Sequence, residues 1–363
     1  MVDKELELIK VALEKNNSVN LLKLLTDREK FEFIPEQDVS AVKNILIIGV
    51  ANISQSIKLI EKINPSSNII ILEEDHNIFS NFEKQLQYVI QERELKNCKL
   101  YKCYWDNLKI NIGLLNEHLR QSIISDITQF ELLNKHIERQ CKESPLIYDG
   151  WADLVYIGTF NRHSPDLSER LLSQAFNLSS RYGEILLDII LSDERLGKTV
   201  ISPYQNIKFE NNLLEEDIIP LLLRHDYHGV SYLWRSDLPT MIIEGTEMRA
   251  FQLKGFKGKQ GICLEKGHAV FYRGPWREVI DDDGHKLIRG QRMAVCEKTY
   301  NVLTKEPYQD DVIGIKPYYD ITDSEAGLFD CTTRPQREPK VTKGLKLLVA
   351  DKSDDILENT KCC

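Results

Sequence analysis

"NILIIGVANISQSIKLI", residues 44–60, reads as a buried strand, a single glycine and an amphipathic helix. "VKNILIIG" is a continuous apolar run, the pattern of a strand covered on both faces. In the helix that follows, Ile57, Ile60 and Ile63 share one face. The succession continues outward through a turn at "NPSS" to "NIIILEED", a second buried strand ending in carboxylates. "NIFSNFEKQLQYVIQERELKN" supplies another helix and "CKLYKCYWDNL" a third strand. Strands alternating with helices predict βαβ units, hence a parallel, twisted, doubly wound α/β sheet. Ligands of such sheets sit at the carboxyl ends of the strands.

Farther along, residues 110–147 are polar and helix-prone, an inserted helical segment. "WADLVYIG" (151–158) is the next strand. The helix after it starts at Ser164, a good N-cap, with Pro165 at the first helical position and Gly183 closing the unit. "EILLDIIL" (184–191) is another buried strand, and "LLEEDIIPLLLRHDYHG" a helix interrupted at Pro220. "VSYLWRS" is a further strand segment. After about residue 240 the style changes to short alternating segments, including "WREVIDDDGHKLIRG", which has the form of a hairpin with an Asp-Gly turn. "RMAVCEKTYNVLTKEPY" looks helical. The expected organisation is a helical segment over 1–38, a Rossmann-like domain over 39–240, an α+β domain over 241–345 and a tail over 346–363.

Composition narrows the function classes. A chain of 363 residues exceeds one compact core, so two folded units are expected. A net charge of -9 argues against a nucleic-acid backbone as partner. The basic run "KGFKGKQG" (254–261) reads as a solvated loop. No apolar run reaches the roughly 18 residues of a membrane helix, and the N-terminus has no secretory apolar region. The expectation is a cytoplasmic protein without membrane or nucleic-acid partners. Its eight cysteines are scattered, with no paired C-x-x-C spacing, and free thiols are the default.

The C-terminal stretch "FKGKQGICLEKGHAVFYRGPWREVIDDDGHKLIRGQRMAVCEKT", with "YHGVSYLWRSDLP" upstream and "EAGLFDC" and "REPKVTKG" downstream, resembles the arsenite methyltransferase-related branch of class I SAM-dependent methyltransferases. The likeness spans roughly residues 40–345 and is most specific in the C-terminal half. It implies a class I methyltransferase sheet and S-adenosylmethionine as cofactor. By this resemblance Gly49 and Ala51 belong to the cofactor loop, Glu73 to the ribose hydroxyls, and Asp106 to the adenine, with Trp105 as apolar cover. An acidic strand end that merely meets water, and an ordinary core tryptophan, are the plain alternatives for Glu73 and Trp105.

The chain departs from that family where it matters. The family loop has an acidic residue followed by Gly-x-Gly-x-Gly, whereas this chain reads Ile47-Ile48-Gly49-Val50-Ala51-Asn52-Ile53. Ile47 cannot accept a hydrogen bond, and a branched Ile53 is expected to fill part of the cofactor volume. The arsenic-binding cysteine after the fourth strand is replaced by Gly158 and Thr159, and "YQNIKFENN" carries no thiol.

Residues that could still carry chemistry are His163, as a base near neutral pH, and Asn161, to orient a substrate. For His163 a plain polar loop histidine is the favoured alternative. The "DDDGH" segment (281–285) suggests a hard cation or a solvated turn, and the turn is favoured. Cys362 and Cys363 are vicinal thiols that could capture a soft metal ion, or simply two free thiols at a terminus. Any thiol site retained elsewhere belongs with Cys263, Cys296 and Cys331, in the module that carries the resemblance. Two functions follow: a divergent transferase acting on a small-molecule substrate, or an inactive relative (a pseudoenzyme) that binds a protein partner or soft metal through its thiols.

Overall fold

The structure, a computed structural model, describes residues 39–50, 53–121, 124–158, 160–195, 213–331 and 335–346, together with short stretches within 7–20 and at 200–201 and 208–209. Two compact units result: residues 1–225 with 230–257, and residues 226–229 with 258–363. No helix among the described residues is long and apolar enough to cross a membrane.

The first unit is built on a nine-stranded sheet. Its elements in chain order are β1 (Val19–Asn20), β2 (Asn44–Ile48), α1 (Ile53–Lys62), β3 (Asn68–Glu73), α2 (His76–Glu92), β4 (Asn97–Lys102), α3 (Ile112–Gln121), α4 (Ile127–Glu143) and β5 (Ala152–Ile157). There follow α5 (Pro165–Leu178), β6 (Ser179–Ser192), the paired short strands β7 (Val200–Ile201) and β8 (Lys208–Phe209), α6 (Ile218–Arg224), β9 (His228–Arg235), β10 (Met241–Ile243) and β11 (Thr246–Phe256). Strands β4, β3, β2, β5 and β6 are parallel neighbours in that order. Antiparallel β11 extends the sheet beyond β6, β10 follows it, and β9 also pairs with β11.

The apolar runs account for this core. Ile45 and Ile47 of β2 join Ile69, Ile71, Leu154, Tyr156 and Leu186 in one cluster beneath α1 and α2. Leu46 and Ile48, pointing the other way along the same strand, are fully buried too. A strand buried on both faces needs no polar alternation, which is why the run reads as continuous. The chain moves from β2 to β3 and β4 on one side, then jumps across β2 to β5. The switch point therefore lies between the carboxyl ends of β2 and β5.

Several expectations shift. Ser164 does cap α5, accepting from the Leu167 N–H, but the helix ends at Leu178 and β6 begins at once. Gly183 lies inside that strand at a register irregularity, where an added Cβ would come within 2.9 Å of the Ala152 carbonyl oxygen. Pro220 interrupts nothing: it sits in the first turn of α6, where a missing N–H costs no helical bond. Val19 and Asn20, read as helical, pair with β10 instead. Residues 241–256, expected to open the second domain, form β10 and β11 of the first sheet, because β11 matches β6 over nine paired residues.

The second unit contains β12 (Leu264–Glu265), β13 (Ala269–Tyr272), β14 (Glu278–Ile280), β15 (Lys286–Ile288), β16 (Arg292–Ala294), α7 (Glu297–Leu303), β17 (Val312–Ile315), β18 (Gly327–Leu328) and α8 (Pro339–Thr342). Strand β13 is flanked by β16 and β17, and β12 pairs with β18. Val270, Tyr272, Leu287, Met293, Val295, Tyr300, Leu303 and Val312 form its main core. The "RMAVCEKTY" stretch is helical only from Glu297, because Arg292–Ala294 pairs with β13 and Cys296 caps the helix.

Candidate functional site

At the switch point the chain leaves β2 through Gly49, whose φ of 76° is a conformation that glycine adopts at no cost. Its N–H donates to the Leu72 carbonyl oxygen at 2.8 Å. One residue later the Val50 N–H donates to Glu73 Oε2, also at 2.8 Å. The other carboxylate oxygen accepts from the Asp75 N–H at 2.9 Å. Asp75 in turn caps α2, its side chain accepting from the Asn77 and Ile78 N–H groups. Glu73 is only 2% exposed, so its carboxylate works as a clasp between the β2 loop and the start of α2. Ala51 lies outside the described residues.

Ile47 is fully buried in the core cluster, and Ile53 packs against that same cluster with Ile57. Positions 53, 57 and 60 share the inner face of α1, so helical spacing alone could have placed Ile53 there.

Trp105 and Asp106 follow β4. The Trp105 ring is 6% exposed and meets the His163 ring edge-on, with centroids 5.3 Å apart. Gln174 of α5 holds this loop twice, donating to the Trp105 carbonyl oxygen at 2.9 Å and accepting from the Leu108 N–H at 2.7 Å. Asp106 faces the surface and pairs with Arg170 of α5 at 2.8 Å. Glu74 beside it has its carboxyl raised, chiefly by burial and further by Asp106 and Glu73.

Asn161 and His163 flank the end of β5, both largely buried. The Asn161 amide donates to the Ile190 carbonyl oxygen at 2.8 Å and accepts from the Ile190 N–H at 2.7 Å. It thus completes the main-chain pairing of β6. Trp105, His163 and Asn161 are brought to one end of the sheet, as the sequence suggested. The structure engages the Asn161 amide at both ends and puts an aromatic ring beside His163.

Sequence reasoning passed over a polar group inside the sheet. Asp188 in "EILLDIIL" accepts from the Tyr156 hydroxyl of β5 and, at 2.8 Å, from the Gln252 amide of β11. Burial raises the Asp188 carboxyl from 3.8 to about 7 against the opposing pull of these two hydrogen bonds. The one available signal was a charge in the middle of an apolar run.

The "DDDGH" hairpin is a turn, as favoured from sequence. Gly284 N–H donates to the Asp281 carbonyl oxygen at 2.9 Å, and Gly284 has a φ of 76°. Beyond the last strand pair, Ile280 with Lys286, the Asp281 N–H donates to the His285 carbonyl oxygen at 3.2 Å, which leaves a loop of three residues rather than two, the form in which a type I turn is followed by a left-handed residue. Asp281 Oδ1 accepts from the Asp283 and His285 N–H groups, and Lys259 Nζ lies 2.5 Å from Asp283. Asp281, Asp283 and His285 cluster closely, but Asp283 is already paired with the Lys259 ammonium and Asp281 with the His285 ring at 2.8 Å.

The thiols divide by unit. Burial pushes Cys98 up to about 12 and raises Cys103 as well, which keeps both protonated at neutral pH. In the second unit Cys263, Cys296 and Cys331 converge, all buried and none in a disulfide. Hydrogen bonds from Cys263 and Cys331, then Thr299, hold the Cys296 thiol far below its usual range. Cys362 and Cys363 lie outside the described residues.

A family model described as "Domain of unknown function (DUF8838)" matches residues 259–347. No curated protein matches the sequence. Among solved structures, the chain is similar to an arsenic(III) S-adenosylmethionine methyltransferase from Chlamydomonas reinhardtii, at 14% identity and a TM-score of 0.48, over 89% of this chain and 98% of that one. It is also similar to a SAM-dependent methyltransferase from Methanosarcina mazei, at 12% identity and a TM-score of 0.40, over 62% and 99% of the two chains. A third likeness is to the SAM-dependent methyltransferase SibL in its apo form, at 13% identity and a TM-score of 0.36, over 61% and 52%. The strand order β4-β3-β2-β5-β6, closed by antiparallel β11, is itself the evidence that the first unit has a Rossmann-like, class I methyltransferase-type fold.

Proposed function

We propose that the chain is a divergent methyltransferase-fold protein that acts by binding and not by methyl transfer. The observation that carries this reading is the Glu73 clasp: the second-strand carboxylate is only 2% exposed, and each of its oxygens accepts from a main-chain N–H group, of Val50 and of Asp75. In the family this chain resembles, that carboxylate meets the ribose hydroxyls of SAM. Two further observations support the reading. Asp106, the adenine-side residue by resemblance, is paired with Arg170. Ile47 stands in the core where an acidic residue would meet the amino-acid portion of the cofactor. These residues do not fit SAM in the family manner, and no catalytic step is derived through it. The absence of thiols at Gly158 and in "YQNIKFENN" likewise separates the chain from arsenite methylation by the family route. A small molecule or a partner protein is the ligand this reading calls for.

Calorimetric titration of the full chain with SAM and S-adenosylhomocysteine tests it, with no saturable heat as the expected result. A thermal scan gives a second readout, since a ligand at a hundred times its dissociation constant stabilises the folded state by about 2.7 kcal/mol. Saturable SAM binding that disappears in Glu73→Gln would overturn the reading.

A further inference from the structure

The donor atoms of Cys263, Cys296 and Cys331 all lie within 4.8 Å of one another. They come from three separate places in the sequence. Cys263 immediately precedes β12, and Cys331 follows β18, the partner of β12 in the ladder Leu264↔Leu328 and Glu265↔Gly327. A further bond, from the Phe329 N–H to the Cys263 carbonyl oxygen at 2.8 Å, extends that ladder towards the thiols. Cys296 arrives from the far side, at the junction of β16 and α7, where its sulfur accepts from the Thr299 N–H at 3.3 Å. Ala294 and Phe329 complete the cluster, so the surroundings are apolar.

We propose that these three cysteines form a binding site for a thiophilic cation, which ties together the segments at 263, 296 and 331. The donor set is soft, and soft thiolates select thiophilic ions over magnesium or calcium, which require oxygen. The geometry is close to what coordination demands. Three thiolates bound at about 2.3 Å from one ion lie roughly 4 Å apart, so each sulfur has to move inward by about 0.5 Å at most. No fourth His, Cys, Asp or Glu donor belongs to this group among the described residues, which thus supply three bonds. Each thiol still protonated when the ion arrives releases its proton to solvent as the sulfur–metal bond forms, and no electrons are transferred. The site belongs to the second unit alone and is independent of whether the first unit binds SAM.

The test uses Cd(II) as probe on the full chain, reduced beforehand and then freed of reductant under nitrogen. Thiolate-to-cadmium charge-transfer absorbance is expected to saturate at one ion per chain. Zn(II) should compete, and Mg(II) should leave the signal unchanged. Each of Cys263→Ser, Cys296→Ser and Cys331→Ser should weaken binding roughly tenfold or more, on the scale of losses at metal sites. Cys296→Ser is the cleanest variant, because serine is itself a preferred N-cap and α7 keeps its start. Circular dichroism of each variant establishes that it is folded before its binding is compared. The double variant Cys362→Ser/Cys363→Ser should bind as the parent does. Cadmium uptake that survives in all three single variants, or disappears only in the tail variant, would overturn the proposal.

Discussion

The Tyr156 hydroxyl of β5 donates to the Asp188 carboxylate of β6 inside the sheet, and Gln252 of β11 donates to the other oxygen of that carboxylate. Three neighbouring strands are thus pinned through one acid in an otherwise apolar layer. Burial favours its neutral form, which raises it from 3.8 to about 7.

The sign of the resulting pH dependence follows from that direction. A carboxyl whose folded value is raised binds its proton more tightly in the native state. Its contribution is fully present below about pH 4 and is lost as pH rises through about 7, on the order of a few kcal/mol. Asp188→Asn should remove this loss, so that the variant gains on the parent as pH rises from 5 to 8. Urea denaturation at several pH values measures it, and parallel curves for variant and parent would contradict the assignment.

Glu73→Ala should lower stability by about 1–3 kcal/mol, because the buried Val50 N–H loses its acceptor. Differential scanning calorimetry without any ligand reads this directly. A carboxylate that served only a bound nucleoside would leave the melting temperature of the ligand-free protein unchanged.

Asn161→Ala removes both a donor and an acceptor from Ile190 and should cost about 1–3 kcal/mol. Asn161→Asp keeps the acceptor for the Ile190 N–H but turns an oxygen towards the carbonyl, so it should be at least as damaging at neutral pH. Chemical denaturation of the two variants gives the comparison.

Gly284→Ala places a side chain in a left-handed conformation at the tip of the β14–β15 hairpin and should cost about 1–2 kcal/mol. Gly284→Asn should cost less, since asparagine tolerates that region better. Equal melting temperatures for the two variants would contradict the turn geometry.

Local patterns were legible in the sequence and long-range pairings were not. The β2 strand, the α1 face and the Ser164 cap each depend on residues within a turn or two of one another. Ile53, placed at the cofactor loop by resemblance, packs against the core cluster from the inner face of α1, where helical spacing also puts it. The membership of β11 depends on matching residues some sixty positions away, which no local period encodes. Cys263, Cys296 and Cys331 could be named from the sequence, but no short spacing shows that they converge: the β12–β18 ladder sets Cys263 beside Cys331, and Cys296 joins them from the start of α7. Asp188 shows how a lone charge in an apolar run can mark a buried hydrogen-bonded group and not an exposed edge.

The pairing of β11 with β6 governs how this protein can be cut. A fragment ending near residue 240, where the sequence changes style, would leave Glu184–Ser192 without its neighbour along one side. That stretch, "EILLDIILS", would present bare amide and carbonyl groups flanked by isoleucine and leucine, an invitation to edge-to-edge aggregation. It would also strip Asp188 of the Gln252 amide. Expression of the first unit by itself therefore has to run through Lys257 to give a soluble product.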